Sequence, residues 1–264
     1  SRTRTESVHS SPNVAVFPGL KPFRKEFDTS IFKVSELSAS AGVVLQKKII
    51  MKLNLIYLAF ILTILNSCSS KSTQENSKKH IFYLHGRIIE EQGRNAYSEK
   101  FGKYEFDCII SALRIENSIV YYEIRKENVD SRTYAITVSK KVDSLINSGV
   151  KPVDINIVGA SKGAIIASNV SDLNEHPINY VFLAGNNEYQ ENNNNWKFHG
   201  QVLCIYDLSD SIAGKNYNYW NEKENYMTKF EQLKIKTNLG HGFLYKPVNE
   251  WIEPTKKWII EQKL

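Results

Sequence analysis

From His80 onward the chain alternates between short apolar runs and longer amphipathic ones. The short runs, at 81–84, 119–124, 155–158, 180–184, 202–206 and 232–236, are rich in Ile, Val, Phe and Tyr and are bounded by polar or glycine-containing stretches, so they predict strands. Between them, 104–113, 133–147 and 162–170 repeat their apolar positions at helical spacing, and a last helix is predicted at 254–262. Strands separated by helices cannot pair as hairpins. They predict an α/β domain with a mostly parallel sheet of about six strands and helices on both faces. The domain spans 80–264, about 185 residues, enough to bury a substantial core. There is no internal repeat, and the run Asn192-Asn193-Asn194-Asn195 is expected to be a solvated loop.

The first third of the chain follows a different pattern. Residues 1–50 are rich in Ser, Thr and Lys and show no sustained periodicity; they are expected to be disordered or read through from upstream of the true start at Met51. Residues 51–67 have the form of an export signal: Lys52 supplies charge, and 53–65 form an apolar run of 13 residues, too short to span a bilayer. The run ends in Leu65-Asn66-Ser67-Cys68, which resembles a bacterial lipobox. That resemblance implies acylation of Cys68, a tether over 68–79, and a protein held by lipid at the bacterial cell envelope, facing the periplasm or the outer surface. This division also changes the meaning of the charge. Of the formal +6, residues 1–50 hold eight Lys/Arg against four Asp/Glu and Lys52 adds one more; from Cys68 onward 25 basic face 24 acidic side chains. The domain is nearly neutral, which argues against nucleic acid as a partner.

The chemistry concentrates in one stretch. Val158-Gly159-Ala160-Ser161-Lys162-Gly163-Ala164 carries an apolar strand through Gly-x-Ser-x-Gly into a helical run, the setting in which a serine becomes a nucleophile. A side chain at Gly159 or Gly163 would collide with the neighbouring strand or helix. The helix that follows points its first amides at the serine, so the Lys162 N–H is placed to stabilise an oxyanion. Downstream, the strand Val202-Leu203-Cys204-Ile205-Tyr206 ends in Asp207 and Asp210, either of which can orient a histidine. Gly240-His241-Gly242 then sets a histidine between glycines, a loop suited to a mobile general base. The order Ser, acid, His is the one such a strand–turn–helix serine requires. Upstream, 81–84 run into His85-Gly86-Arg87.

In these four pieces, from 81 to the C-terminus, the chain resembles the α/β-hydrolase superfamily. The resemblance implies a minimal form of that fold lacking the first two of its eight strands, with Ser161 as nucleophile, His241 as base, and the N–H of Arg87 or Ile88 as second oxyanion donor. The family pattern favours Asp210 as the acid; Asp207 remains the alternative, or the cap of the turn that carries Asp210. Only 17 residues separate Ala184 from Val202, too few for a helical lid, so an open, shallow site is expected. The Lys162 side chain is expected in solvent. Arg125, with Arg87, is a candidate contact for an acidic substrate group, although Glu90, Glu91 and Asp130 can pair with them instead. Cys108 and Cys204 are expected to be small buried hydrophobes or, in an oxidising compartment, partners in a disulfide. No Cys/His cluster has metal-ligand spacing, and no cofactor is implied. The function expected is hydrolysis of a carboxylic ester or related small acyl compound. A lipid-anchored, non-catalytic binding module and an amidase or peptidase of envelope substrates stay open.

Overall fold

The computed structural model describes residues 77–261. The expected export signal, Cys68 and most of the expected tether lie outside them. The last tether residues that are described are fixed: Ser77 Oγ and Lys79 Nζ both reach Asp154 Oδ1, at 2.7 and 2.8 Å. Among the described residues, no helix is long and apolar enough to cross a membrane.

Six strands form one sheet: β1 (Lys79–Leu84), β4 (Ser118–Tyr122), β5 (Ile155–Ala160), β6 (Asn179–Leu183), β7 (His199–Asp207) and β8 (Tyr226–Ile235). Their spatial order is β4-β1-β5-β6-β7-β8, and every neighbouring pair is parallel. The helices between them are α1 (Arg87–Gln92), α2 (Phe106–Leu113), α3 (Ser131–Asn147), α4 (Lys162–Leu173), α5 (Glu188–Asn193), α6 (Asn218–Asn221) and α7 (Asn249–Glu261). A two-stranded hairpin, β2 (Tyr97–Ser98) and β3 (Gly102–Lys103), lies between α1 and α2. This is the α/β arrangement expected from the sequence, a parallel sheet of six strands with helices on both faces.

Strand alternation splits the core in two. Ile81, Tyr83, Val158 and Leu203 pack on one face against α2 and α7 through Phe106, Ile109, Trp251 and Trp258. Phe82, Ile157, Tyr180 and Val202 face the other way, against α3 and α4 through Val138, Val142, Ala167 and Val170. The central strands are therefore buried on both sides, which is why they read as continuous apolar runs.

Several expectations shift. The C-terminal helix starts at Asn249 and carries Pro254 inside it; the carbonyl that loses its partner belongs to Glu250, an exposed residue. Strand β8 begins six residues before the predicted start, because its outer half is an edge with mostly exposed side chains and no apolar run. The asparagine run does not form a loop throughout: Asn192 and Asn193 close α5, which Asn187 caps by accepting the Gln190 N–H at 3.0 Å. Cys108 is exposed on α2 while Cys204 is buried in β7, and both are free thiols.

The tightest point of the fold is where α4 crosses β1 and β5. A Cβ on Gly159 would lie 2.3 Å from the Gly163 carbonyl oxygen, and one on Gly163 would lie 1.8 Å from that of Leu84. Neither neighbour is a side chain that can swing away. Gly163→Ala is therefore expected to cost about 3 kcal/mol or more of stability. Gly86→Ala is expected to stay within about 1 kcal/mol, because its Cβ meets nothing closer than 3.7 Å. Urea unfolding midpoints of the two variants check the contrast.

Candidate active site

The crossing determines how Ser161 is presented. Pinned between β5 and α4, Ser161 adopts φ 53°, ψ −117°, a conformation that side chains rarely take. Its carbonyl accepts the Ala164 and Ile165 N–H groups at 2.8 and 3.1 Å. The amide of Lys162, first in α4, has no acceptor within its helix.

His241 Nε2 lies 2.9 Å from Ser161 Oγ, and its Nδ1 lies 2.7 Å from Asp210 Oδ2. A carboxylate can only accept, so Nδ1 carries the proton and Nε2 is left to accept from the serine hydroxyl. The other oxygen of Asp210 accepts the N–H groups of Ile212 and Ala213 at 2.8 and 3.1 Å. Three residues spread over 80 positions of sequence thus form one hydrogen-bonded line.

The two candidate acids separate clearly. Asp207, fully buried, accepts from Ser209 through Oδ1 (2.6 Å from both N and Oγ) and from Thr237 through Oδ2 (2.7 Å from N, 2.5 Å from Oγ1). Burial pushes its carboxyl up, but these hydrogen bonds outweigh burial and hold it below the usual carboxylate range. Ser209 Oγ in turn accepts the Gly240 N–H at 3.0 Å. Asp207 does not reach His241; it ties the acid turn to the histidine turn.

The histidine segment is not a mobile loop. Gly240–Tyr245 forms a 3₁₀ turn, and His241 is buried within it. Gly240 takes φ 56°, and a Cβ on Gly242 would meet the Phe101 ring at 2.9 Å. The flanking glycines serve a left-handed turn and a close aromatic contact.

Opposite Ser161 stands the His85-Gly86 turn. A Cβ on Gly86 would lie 3.7 Å from Ser161 Cβ, so the turn passes close beside the serine, and Arg87 opens α1. The Arg87 side chain is exposed and reaches Glu91 at 3.2 Å. The Arg125 side chain does not lie open to an acidic substrate group: it is 1% exposed and its Nε binds Glu90 Oε1 at 2.7 Å. Nor is the Lys162 side chain solvated, since Nζ sits 2.5 Å from Glu90 Oε2. Both corrections have one cause, a buried Glu90 that the sequence offered only as one of several nearby acids.

Of the remaining histidines, His85 is structural. Its Nδ1 lies 2.8 Å from the Gly86 carbonyl and must donate, while Nε2 accepts the Arg125 N–H at 3.1 Å, so the ring is neutral. His176 and His199 lie apart from the serine, with His199 Nδ1 on the Ser171 carbonyl at 2.9 Å.

A cleft of about 860 Å³ opens beside Ser161 and His241, walled by Ile88, Phe101, Tyr104, Leu244 and Tyr245. The β2–β3 hairpin supplies the wall that a lid between β6 and β7 does not. A second groove of about 540 Å³ meets the first at Ser161 and is polar, with Arg132, Asn169, Gln190 and Asn194 along it. Among the described residues no cluster of His, Cys, Asp or Glu could hold a metal ion.

No protein-family model matches the chain, and no curated protein matches it. Among solved structures it is similar to SOBER1 from Arabidopsis thaliana, at 14% identity and a TM-score of 0.48 over 69% of this chain and 98% of that one. It is also similar to a phospholipase/carboxylesterase from Dyadobacter fermentans, at 12% identity and a TM-score of 0.46 over 70% and 91%. A third is a YdeN-like hydrolase from Pectobacterium atrosepticum, at 10% identity and 0.44 over 69% and 91%.

The His85 ring makes the stability of this region pH-dependent. Burial, then the Arg125 charge, push its pKa from 6.5 down to about 4. Below pH 6.5 the unfolded chain takes up a proton that the native ring refuses until about pH 4, so stability falls as pH falls through this window. The expected loss is roughly 3 kcal/mol. Urea midpoints measured from pH 7 to pH 4 should drop more steeply for the parent than for His85→Gln.

Proposed function

We propose that this protein is a serine hydrolase that cleaves a carboxylic ester or related small acyl compound through an acyl-enzyme intermediate, without a cofactor. The observation that carries the reading is the unbroken line Ser161 Oγ, His241 Nε2, His241 Nδ1, Asp210 Oδ2, at 2.9 and 2.7 Å, opening onto a cleft. A binding module has no use for a serine held at φ 53° and aligned on a histidine whose tautomer is set by a carboxylate.

In the first half-reaction Ser161 Oγ bonds to the acyl carbon as its proton passes to His241 Nε2. Asp210 stabilises the imidazolium without taking its proton. The carbonyl oxygen becomes an oxyanion facing the N–H groups of Lys162 and Arg87, both at helix starts where no internal acceptor competes. When the bond to the leaving alkoxide breaks, His241 returns the proton to it. Water then repeats the sequence: His241 removes its proton, the hydroxide oxygen bonds to the acyl carbon, and Ser161 leaves with the proton restored.

The cell-envelope location belongs to the same reading and rests on the lipobox-like Leu65-Asn66-Ser67-Cys68. The membrane is then a partner through the lipid on Cys68, and the substrate is a small molecule reaching the site from solvent.

Two measurements test the proposal on the full chain. Fluorophosphonate is expected to label the parent, with labelling abolished in Ser161→Ala and reduced at least 100-fold in His241→Ala; a folded parent that does not label sinks the enzyme reading in favour of the binding module. Incorporation of radiolabelled palmitate in a bacterial host is expected for the parent and lost in Cys68→Ala. Equal incorporation by both removes the lipid anchor.

A further inference from the structure

Glu90 lies on α1, three residues after Arg87, with its side chain only 1% exposed. Its two oxygens hold different cations: Oε1 takes Arg125 Nε at 2.7 Å, and Oε2 takes Lys162 Nζ at 2.5 Å. Arg125 extends further, donating from Nη2 to the His85 carbonyl and from its backbone N–H to His85 Nε2. Core stability does not require such a cluster, since apolar side chains of similar volume usually serve as well or better.

The cluster does connect the two amides assigned to the oxyanion in the proposed reaction. On one side, Glu90 grips the first residue of α4, Lys162. On the other, the line runs from Glu90 to Arg125, then to the His85 ring, whose Nδ1–H is held by the Gly86 carbonyl at 2.8 Å. That carbonyl belongs to the same planar peptide as the Arg87 N–H and points the opposite way, so fixing one aims the other. The cluster also holds one more positive than negative charge, the sign that favours an oxyanion.

We propose that Glu90 is a positioning residue for the oxyanion site, one buried carboxylate that sets the separation and direction of the Lys162 and Arg87 amides through Lys162 Nζ and the Arg125–His85 relay. The inference rests on the hydrolase reading above. It assigns to the Lys162 and Arg125 side chains a part in transition-state geometry, with no contact to substrate.

The test uses p-nitrophenyl acetate turnover, the affinity of a trifluoromethyl ketone that forms an oxyanion on Ser161, and thermal melting. Lys162→Met cuts the Glu90–Lys162 tie but leaves Glu90 paired with Arg125, so it reads the clamp in a protein whose buried arginine stays neutralised. It is expected to lower kcat by roughly 10- to 100-fold with KM within twofold, and to weaken the ketone by the same factor as kcat/KM. Lys162→Arg, which can restore the ion pair, is expected to recover most of the loss. Glu90→Gln, if it folds, should lose at least as much as Lys162→Met. A folded Lys162→Met protein that keeps kcat within twofold, or changes KM alone, overturns the clamp while leaving the hydrolase reading intact. A parent that neither labels with fluorophosphonate nor turns over ester removes that reading and the clamp with it.

Discussion

Everything at the candidate active end of this molecule depends on a backbone contact that only glycine permits. With hydrogen in place of Cβ at 159 and 163, α4 can lie directly on the ends of β1 and β5, so close that a methyl group would enter the Leu84 carbonyl. That closeness forces the chain to turn within a single residue, and Ser161 absorbs the turn at φ 53°. The strain is sustained by the packing of two strands and a helix, not by any contact of the serine itself. The same crossing brings Gly86 beside Ser161, so the candidate nucleophile and both candidate oxyanion amides come from one junction. A wider junction would lose all three together.

Around this junction two buried acids organise opposite halves of the site, and neither belongs to the hydrogen-bonded line. Asp207 links the turn after β7 to the segments carrying Thr237 and Gly240, so the acid and the histidine arrive in register. Glu90 links α1, β4's exit and α4 through Arg125 and Lys162. Each carboxylate has partners on both oxygens, as burial demands. The division of labour follows from where the elements end. Parallel strands deliver all their loops to one edge of the sheet, but nothing in strand pairing aligns those loops with one another, so separate cross-ties must do it.

How far these features could be read from residues alone depends on how local they are. The six strands were legible because burial on both faces leaves long apolar runs, and the outer half of β8 was not because an edge strand need not be apolar. The serine turn was legible because its glycines and helix start fall within five residues. The acids were harder: Asp207 ends β7 and Asp210 follows three residues on, and the groups that claim Asp207 and leave Asp210 to His241 include Thr237, thirty residues away. Glu90 and Lys162 are 72 residues apart, so Arg125 could be given Glu90 only as one of three candidate partners, and Lys162 none. The hairpin wall was invisible for a different reason. Its strands are two residues each, too short for any period, and Phe101 stands alone among charges.

The histidine shows how the same sequence signal can carry the opposite physical meaning. Glycines on both sides of His241 suggest freedom, the property a base needs if it must swing between serine and leaving group. In the fold they do the reverse. Gly240 allows a left-handed residue that brings its N–H onto Ser209, and Gly242 lets Phe101 press onto the turn where a Cβ would be only 2.9 Å away. Phe101 also packs on Tyr245, and Tyr245 on Tyr104, so the histidine turn is stacked against the wall of the cleft. In the proposed reaction a base held in this way has little freedom left to lose on reaching the transition state. The cost is that base and cleft wall are coupled: whatever displaces Phe101 to admit a bulkier group also loosens His241. On the proposed hydrolase reading, acyl size and proton transfer are therefore selected by the same aromatic contact.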